Sequence, residues 1–298
     1  MTSWLSYACW YLCLLVLLVA PIAWKLSSTF QYWIKITVYY TDVLLAAILV
    51  ILPALLRPGS VENNRIVAWL FVQLTRWTHI RFEYRDLHNV ESDEACVIVC
   101  NHQSSIDLIG IAFYWLLTLY PKRCVALIKK ELLYAGPFGV AATLCGSVFV
   151  DRYNTSNAVA TMEKAVTTVK QKKLKLWVFP EGTRFHGKGM LPFKKGAFHL
   201  AVRAQVPIVP MVFSYYHPFY SKAERRFASS GFAIAKALPP ISTVGLTSDD
   251  VSQLADETRR RMLEVFEEIS TEAEQIYNGA SQKQTTMPSS TSTSIKTE

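Results

Sequence analysis

Six apolar residues, Ala95-Cys-Val-Ile-Val-Cys100, give way abruptly to Asn101-His102-Gln103-Ser104-Ser105-Ile106-Asp107, and this junction limits the fold more than any other stretch. A run so short, so rich in β-branched side chains and without a polar face suits a strand covered on both sides, as in a parallel sheet. Ser104 or Ser105 can cap a following helix with Asp107 in its first turn, where free N–H groups and the helix dipole favour negative charge. Strand ends that open onto helix N-termini are where α/β sheets hold ligands. The expected fold class is α/β, a mostly parallel central sheet flanked by helices.

The same pattern recurs downstream. Residues 124–128 (CVALI) end at Lys129-Lys130, 147–150 (SVFV) run into Asp151-Arg152, and 174–179 (LKLWVF) break at Pro180-Glu181-Gly182-Thr183-Arg184. Residues 206–213 carry Pro207 and Pro210, which places that strand at a sheet edge. Between them, periodicity predicts an amphipathic connector helix over 61–82 and an apolar helix from Asp107 to about Leu119, stopped by Pro121. Further helices are expected from Asn154 or Thr155 to about Lys173, over 194–204, and from about Ser248 to Tyr277 with Leu254, Met262, Phe266 and Ile269 inward.

The front of the chain adds a second constraint. Residues 4–24 carry no charge, and 37–56 form another apolar run with Asp42 and Pro53 near its ends. Each has the length of a membrane-crossing helix. Trp4, Trp10, Trp24, Tyr32, Trp33, Tyr39 and Tyr40 fall mostly toward the run ends, as amphipathic aromatics do at an interface. A signal peptide competes for the first run, but no basic segment precedes it. The organisation expected is an N-terminal two-helix membrane hairpin over 1–60, a catalytic domain over 61–278 and a disordered tail over 279–298. Ten serines and threonines stand among the last 19 residues, with no apolar periodicity. Arg57, Arg65, Arg76 and Arg81 after the second run bias the domain to the cytosolic side.

A net charge of +8 fits nucleic acid, anionic lipid or a polyanionic cofactor. Membrane runs and the absence of any nucleic-acid-binding motif argue against the first. The six cysteines lack paired zinc spacing and read as reduced apolar residues, so no metal is expected.

His102 and Asp107 carry the chemistry. Five residues across a turn let the carboxylate fold back onto one imidazole nitrogen and leave the other as an acceptor, which makes a general base. The plainer alternative is a hydrogen-bonded loop histidine beside a helix-capping aspartate. In the 180–184 turn, Arg184 can grip a phosphate through two parallel hydrogen bonds and Gly182 lets backbone approach a ligand, unless Glu181 and Arg184 only form a surface ion pair. Lys129 suits an anion or a solvated turn. No GxSxG elbow, HExxH, P-loop or GxGxxG is present. A base without its own nucleophile activates one brought by the substrate, such as an alcohol.

Asn101-His102-Gln-Ser-Ser-Ile-Asp107, Gly146-Ser-Val-Phe-Val-Asp-Arg152, Phe179-Pro-Glu-Gly-Thr-Arg184 and Val206-Pro-Ile-Val-Pro210 stand in the order of the four signature motifs of the glycerolipid acyltransferases. The chain resembles that superfamily over about residues 61–277 and, in its EGTR and VFVDR wording, the 1-acylglycerol-3-phosphate branch. The resemblance implies transfer of a fatty acyl group from acyl-CoA to the sn-2 hydroxyl of lysophosphatidic acid, giving phosphatidic acid. It implies no cofactor, acyl-CoA being a co-substrate, and partners limited to these two substrates and membrane lipids, with no nucleic acid. The location implied is the endoplasmic reticulum membrane, multi-pass. In this reading His102 is the base, Asp107 its orienting partner, and Arg184 with Gly182 and Thr183 the phosphate grip. Glu181 positions Arg184 or a substrate hydroxyl, and Lys129 and Arg152 supply further phosphate contacts. Another lysophospholipid or glycerol 3-phosphate as acceptor, or a non-catalytic lipid-binding protein, are the alternatives.

Overall fold

In a computed structural model of the protein, which describes residues 2–117, 123–150 and 166–286, the 95–100 run forms strand β2 (Cys96–Cys100), and every one of its residues is buried. Its side chains alternate between two cores. Cys96, Ile98 and Cys100 join one apolar cluster, and Val97 and Val99 join another. Burying both faces stabilises the sheet by about 1.5–3 kcal/mol for each large aliphatic side chain.

Seven strands make the sheet. In chain order they are β1 (Ile80–Arg85), β2, β3 (Cys124–Lys129), β4 (Val148–Val150), β5 (Lys175–Val178), β6 (Ile208–Phe213) and, after a small antiparallel hairpin of β7 (Tyr220–Ser221) and β8 (Arg226–Phe227), β9 (Gly231–Ala237). Their spatial order is β1-β9-β6-β2-β5-β3-β4. Strands β6, β2, β5, β3 and β4 run parallel, whereas β9 lies antiparallel to β6 and parallel to β1. The carboxyl ends of five strands therefore share one edge, and the loops after them form a common rim.

Helices cover both faces. Helices α2 (Ser28–Ala54), α3 (Asn63–Leu74) and α4 (Asp107–Leu117) contribute Tyr39, Phe71 and Ile109 to the cluster under Ile98. On the opposite face, helix α6 (Gly196–Ala204) and the long α7 (Val251–Thr286) contribute Phe198, Met262, Phe266 and Ile269. A short α5 (Pro137–Leu144) packs against α2 through Ala141 and Cys145.

At the front, α1 (Thr2–Leu26) and α2 follow each other across Ser27, whose hydroxyl caps α2 by accepting from the Phe30 N–H at 3.1 Å. Only α2, among the described residues, is long and apolar enough to cross a membrane. One face of it, including Tyr32, Ile36, Tyr39, Ala47 and Val50, is buried on the α/β body. The other leaves Trp33, Leu44, Ile48, Leu49 and Leu52 exposed.

Three expectations are corrected. The 61–82 connector ends as a helix at Leu74; a single turn over Thr75–Thr78 and a left-handed His79 (φ 47°) then turn the chain into β1. β6 lies between β9 and β2 and not at an edge. Its Pro210 costs no sheet donor, because its N and O face Leu238, just past the end of β9, and the carbonyl accepts from Leu238 N at 2.8 Å. Finally, α7 continues to Thr286, into the segment expected to be disordered. The anticipated cap at Asn154 or Thr155 lies outside the described residues, where helix is seen over 166–171.

Candidate active site

His102 and Asp107 meet in the turn between β2 and α4. His102 Nδ1 lies 2.7 Å from Asp107 Oδ2. The same oxygen accepts from the backbone N–H groups of Gln103 at 2.9 Å and Ser104 at 3.1 Å. Asp107 opens α4, is fully buried and is held by three donors, so its carboxylate is fixed before any substrate arrives. Because the carboxylate accepts, Nδ1 carries the hydrogen and donates it, and Nε2 is left as the acceptor. The His102 ring is 19% exposed and lies stacked on Phe179, with centroids 3.9 Å apart. Phe179 follows β5, whose Val178 is in register with Val99, so parallel pairing carries the ring to the site.

Neighbouring backbone is locked to this turn. The Asn101 side chain donates to Phe213 O at 2.9 Å and accepts from Phe213 N at 2.8 Å, extending the β2–β6 ladder by one side chain. Gln103 donates to Ser214 O at 2.8 Å. From α2, Tyr39 donates to Ser105 O at 2.5 Å and Tyr40 to Ser105 Oγ at 3.2 Å.

The 180–184 turn stands beside it, tied by the Phe185 N–H donating to His102 O at 2.8 Å. Gly182 has φ +73°, and a Cβ there would sit 2.8 Å from Lys194 Cδ and 2.9 Å from Lys194 Nζ. The Lys194 side chain thus lies across the turn, adding an ammonium that sequence reasoning passed over. Thr183 and Arg184 are exposed, and Arg184 has no ion-pair or hydrogen-bond partner among the described residues. The surface ion pair between Glu181 and Arg184 does not form.

Glu181 is turned inward. It is buried, its Oε1 accepts from His102 N and its Oε2 from Leu191 N, each at 2.8 Å. Both oxygens serve the backbone, not Arg184 or a hydroxyl facing the rim. Burial raises its pKa above the ordinary glutamate value, and the two amide donors oppose that rise. The signal was absent from the local sequence, since Glu181 acts on amides of two other segments.

Lys129 ends β3, exposed on the shared edge two strands from β2. Arg152 lies outside the described residues, beyond the end of β4. Among the described residues no group of three or more His, Cys, Asp or Glu side chains could hold a metal ion. Burial pushes the Cys96 thiol up to about 11 and Cys100 well above its ordinary value, so neither is a thiolate nucleophile.

This is an open α/β sheet with a His–Asp pair at its carboxyl edge, and the Acyltransferase family model matches residues 81–214. The chain is 46% identical over 249 residues to the 1-acyl-sn-glycerol-3-phosphate acyltransferase alpha of Mus musculus, covering 84% of this chain and 86% of that protein. It is 39% identical to the beta enzyme of Homo sapiens, covering 87% and 90%, and 34% identical to the Haemophilus influenzae enzyme, covering 70% and 85%. Its fold matches the crystal structure of the acyltransferase PlsC from Thermotoga maritima, with TM-score 0.59 and 18% identity over 80% of this chain and 98% of that one. The chain belongs to the 1-acyl-sn-glycerol-3-phosphate acyltransferase family, and it is an enzyme of phospholipid biosynthesis.

Proposed function

We propose that the protein transfers a fatty acyl group from acyl-CoA to the sn-2 hydroxyl of lysophosphatidic acid, forming phosphatidic acid and free CoA. The observation that carries this reading is the 2.7 Å contact between His102 Nδ1 and the buried Asp107, which leaves Nε2 as an acceptor at a rim where, among the described residues, no activated nucleophile stands. Relatives named 1-acyl-sn-glycerol-3-phosphate acyltransferase support the acceptor.

In the step proposed, Nε2 takes the proton of the sn-2 hydroxyl as its oxygen attacks the thioester carbonyl. The C–O bond forms, the tetrahedral intermediate collapses, the C–S bond breaks, and the imidazolium returns the proton to the departing thiolate. Asp107 holds the ring in one tautomer and stabilises its positive form, worth roughly 10²–10⁴ in rate. A thiol is far more acidic than an alcohol, so the leaving group needs little help. Arg184 with Thr183 and the Gly182 backbone holds the glycerol phosphate and so decides which hydroxyl meets the base. Lys129 extends the positive rim, and Arg152, by its place in the sequence, is read as a further phosphate contact. Glu181 positions the His102 backbone.

Membrane association follows from α2, whose exposed apolar face suits lipid. The finer reading is a multi-pass protein of the endoplasmic reticulum membrane, with α1 and α2 as its hairpin and the catalytic domain on the cytosolic side. Held against one leaflet, the site receives two acyl-chain substrates without exposing them to water.

The test is thiol release from oleoyl-CoA by membranes carrying the protein, with and without lysophosphatidic acid, beside His102→Ala. Release that requires the acceptor, matches phosphatidic acid formed and vanishes in the variant is expected. Equal release by both proteins would remove His102 as the base; acylation of other lysolipids with none of lysophosphatidic acid would remove the acceptor.

A further inference from the structure

Beside the base, a small cleft opens between the His102–Asp107 turn and the β7–β8 hairpin. Gln103, Ser104, His186, His217, Ser221 and Lys222 line it, and none of its lining residues is acidic. Charge there is unbalanced. The side chains of Lys222 and Arg184 have no ion-pair or hydrogen-bond partner among the described residues, whereas His217 is paired with Glu224 at 2.8 Å. Partial burial first, and then the charges of Lys222 and Arg184, hold the pKa of the His186 imidazole below its ordinary value. Asp107 opposes them, but it is already saturated on one oxygen by His102 and two amides.

The hairpin that carries Lys222 is built in, not loose. Lys35 of α2 donates to Phe227 O at 2.9 Å, Arg226 donates to Pro218 O at 2.6 Å, and Tyr220 packs edge-on against Phe227. Lys222 is thus an exposed cation delivered by a fixed support to a cleft that already abuts the residues following the base. Unpaired like charges held together this way favour a multiply charged anion.

We propose that this cleft receives the phosphate of the acceptor, with Lys222 and His186 joining Arg184 around it, and that Lys222 thereby selects acceptors whose phosphate is a free monoester over those whose phosphate is esterified to a second head group. The inference rests on the acceptor chemistry proposed above. Both substrates bring phosphate, and chain length decides between them. In the acceptor only the C2–C3, C3–O and O–P bonds separate the reacting carbon from phosphorus, which suits a cleft adjoining the His102 turn. The CoA phosphates lie a whole pantetheine arm from the thioester. A free monoester presents two charges and three unesterified oxygens to the two cations and the His186 imidazole; an esterified phosphate presents one charge and a bulky substituent where Lys222 stands.

Steady-state kinetics of the full-length enzyme in mixed micelles test this with Lys222→Met, His186→Gln and a control, Lys172→Met, at the opposite end of β5. Lys222→Met should raise KM for lysophosphatidic acid roughly ten- to a hundredfold with kcat changed less than about twofold. KM for oleoyl-CoA should stay constant, and the preference for lysophosphatidic acid over lysophosphatidylcholine should fall by the same factor. His186→Gln should shift KM the same way by less. Glycerol 3-phosphate, used as a soluble competitor, should inhibit the wild type more strongly than Lys222→Met. An unchanged acceptor KM, an effect confined to oleoyl-CoA, or an equal loss in Lys172→Met would each overturn the proposal. Absence of wild-type activity on lysophosphatidic acid would instead overturn the acceptor reading beneath it.

Discussion

The backbone N–H of His102 donates at 2.8 Å to Glu181, a buried carboxylate 79 residues further along the chain. The second oxygen of Glu181 takes the Leu191 N–H, and Phe185 N returns a bond to His102 O. His102 and the 180–184 turn are therefore one structure, joined through backbone, so the distance between them does not depend on flexible side chains at the rim.

Glu181→Gln keeps the shape of this junction but can point a donor at one of two amides that need an acceptor. Leaving a buried N–H unpaired costs about 1–3 kcal/mol, and activity should fall roughly ten- to a hundredfold. The pH dependence separates this from simple misfolding. An unfolded glutamate titrates near 4.3, and burial raises the folded group above that. Between the two values the folded chain holds a proton that the unfolded chain has released. The stability contributed by this group therefore declines as pH rises through that window and is lowest above it. Glutamine does not titrate, so the wild-type stability minus that of the variant, from thermal unfolding in detergent, should decline over the window and then level. A flat difference would show that Glu181 does not titrate as a buried group.

His102→Ala should lower kcat by roughly 10²–10⁴, the range for a general base. Asp107→Asn should come close to it, because the amide oxygen can take the three donors but no longer carries the negative charge that stabilises the imidazolium. Groups that act as a unit are not additive. The double variant should match His102→Ala within a few fold in the same acceptor-dependent assay. A double variant losing the product of both factors would mean that Asp107 acts separately from His102.

Tyr39 links the membrane-facing helix to the catalytic turn. Its hydroxyl, fully buried, donates to Ser105 O, which also accepts from Leu108 N. Since Tyr39→Phe leaves that carbonyl one partner, the loss is that of an ordinary hydrogen bond, about 0.5–1.5 kcal/mol. kcat should fall several-fold with membrane association intact. Tyr40, 46% exposed, bonds to Ser105 Oγ at 3.2 Å, and Tyr40→Phe should change kcat by less than about twofold, within the small range of surface substitutions. Equal effects from both would place the coupling elsewhere on α2.

The pairing of His102 with Asp107 was legible because it is local: five residues, one turn, one helix start. The strands at 96–100, 124–129 and 175–178 were legible for the same reason, each an apolar run ending in polar residues. What escaped the sequence is what the chain completes at a distance. Glu181 looks like a partner for Arg184 until the fold brings His102 and Leu191 to it. The start of β1 was absorbed into the helical reading of 61–82, whose apolar spacing runs from Ile66 to Trp77; only pairing with β9 draws Ile80–Arg85 into the sheet. Pro210 argued for an edge because its missing donor matters only where a ladder continues, and the β9 ladder ends before it. Lys194 gave no signal, since nothing local says that its stem crosses Gly182.

Gly110 lies on α4 one turn beyond Asp107, where α4 meets β1 and β6. A Cβ at this position would stand 2.9 Å from Phe82 Cε1 and 3.0 Å from Phe213 Cζ, and its carbonyl accepts from the Tyr84 hydroxyl. Two effects of Gly110→Ala oppose each other. Alanine favours a helix interior over glycine by about 1 kcal/mol, whereas forcing a methyl into a packed core costs about 1–3 kcal/mol. Phe213 is fully buried and stacks edge-on with Phe82 at 5.6 Å, so the rings have little room to yield and crowding should win. The relief available is a shift of α4 away from the sheet, which carries Asp107 off His102. Gly110→Ala should therefore lower both the melting temperature, by a few degrees, and kcat, while the acceptor KM stays near the wild-type value. A variant that is more stable and fully active would show that the Phe82 ring gives way and that α4 is not held at its working height by this contact.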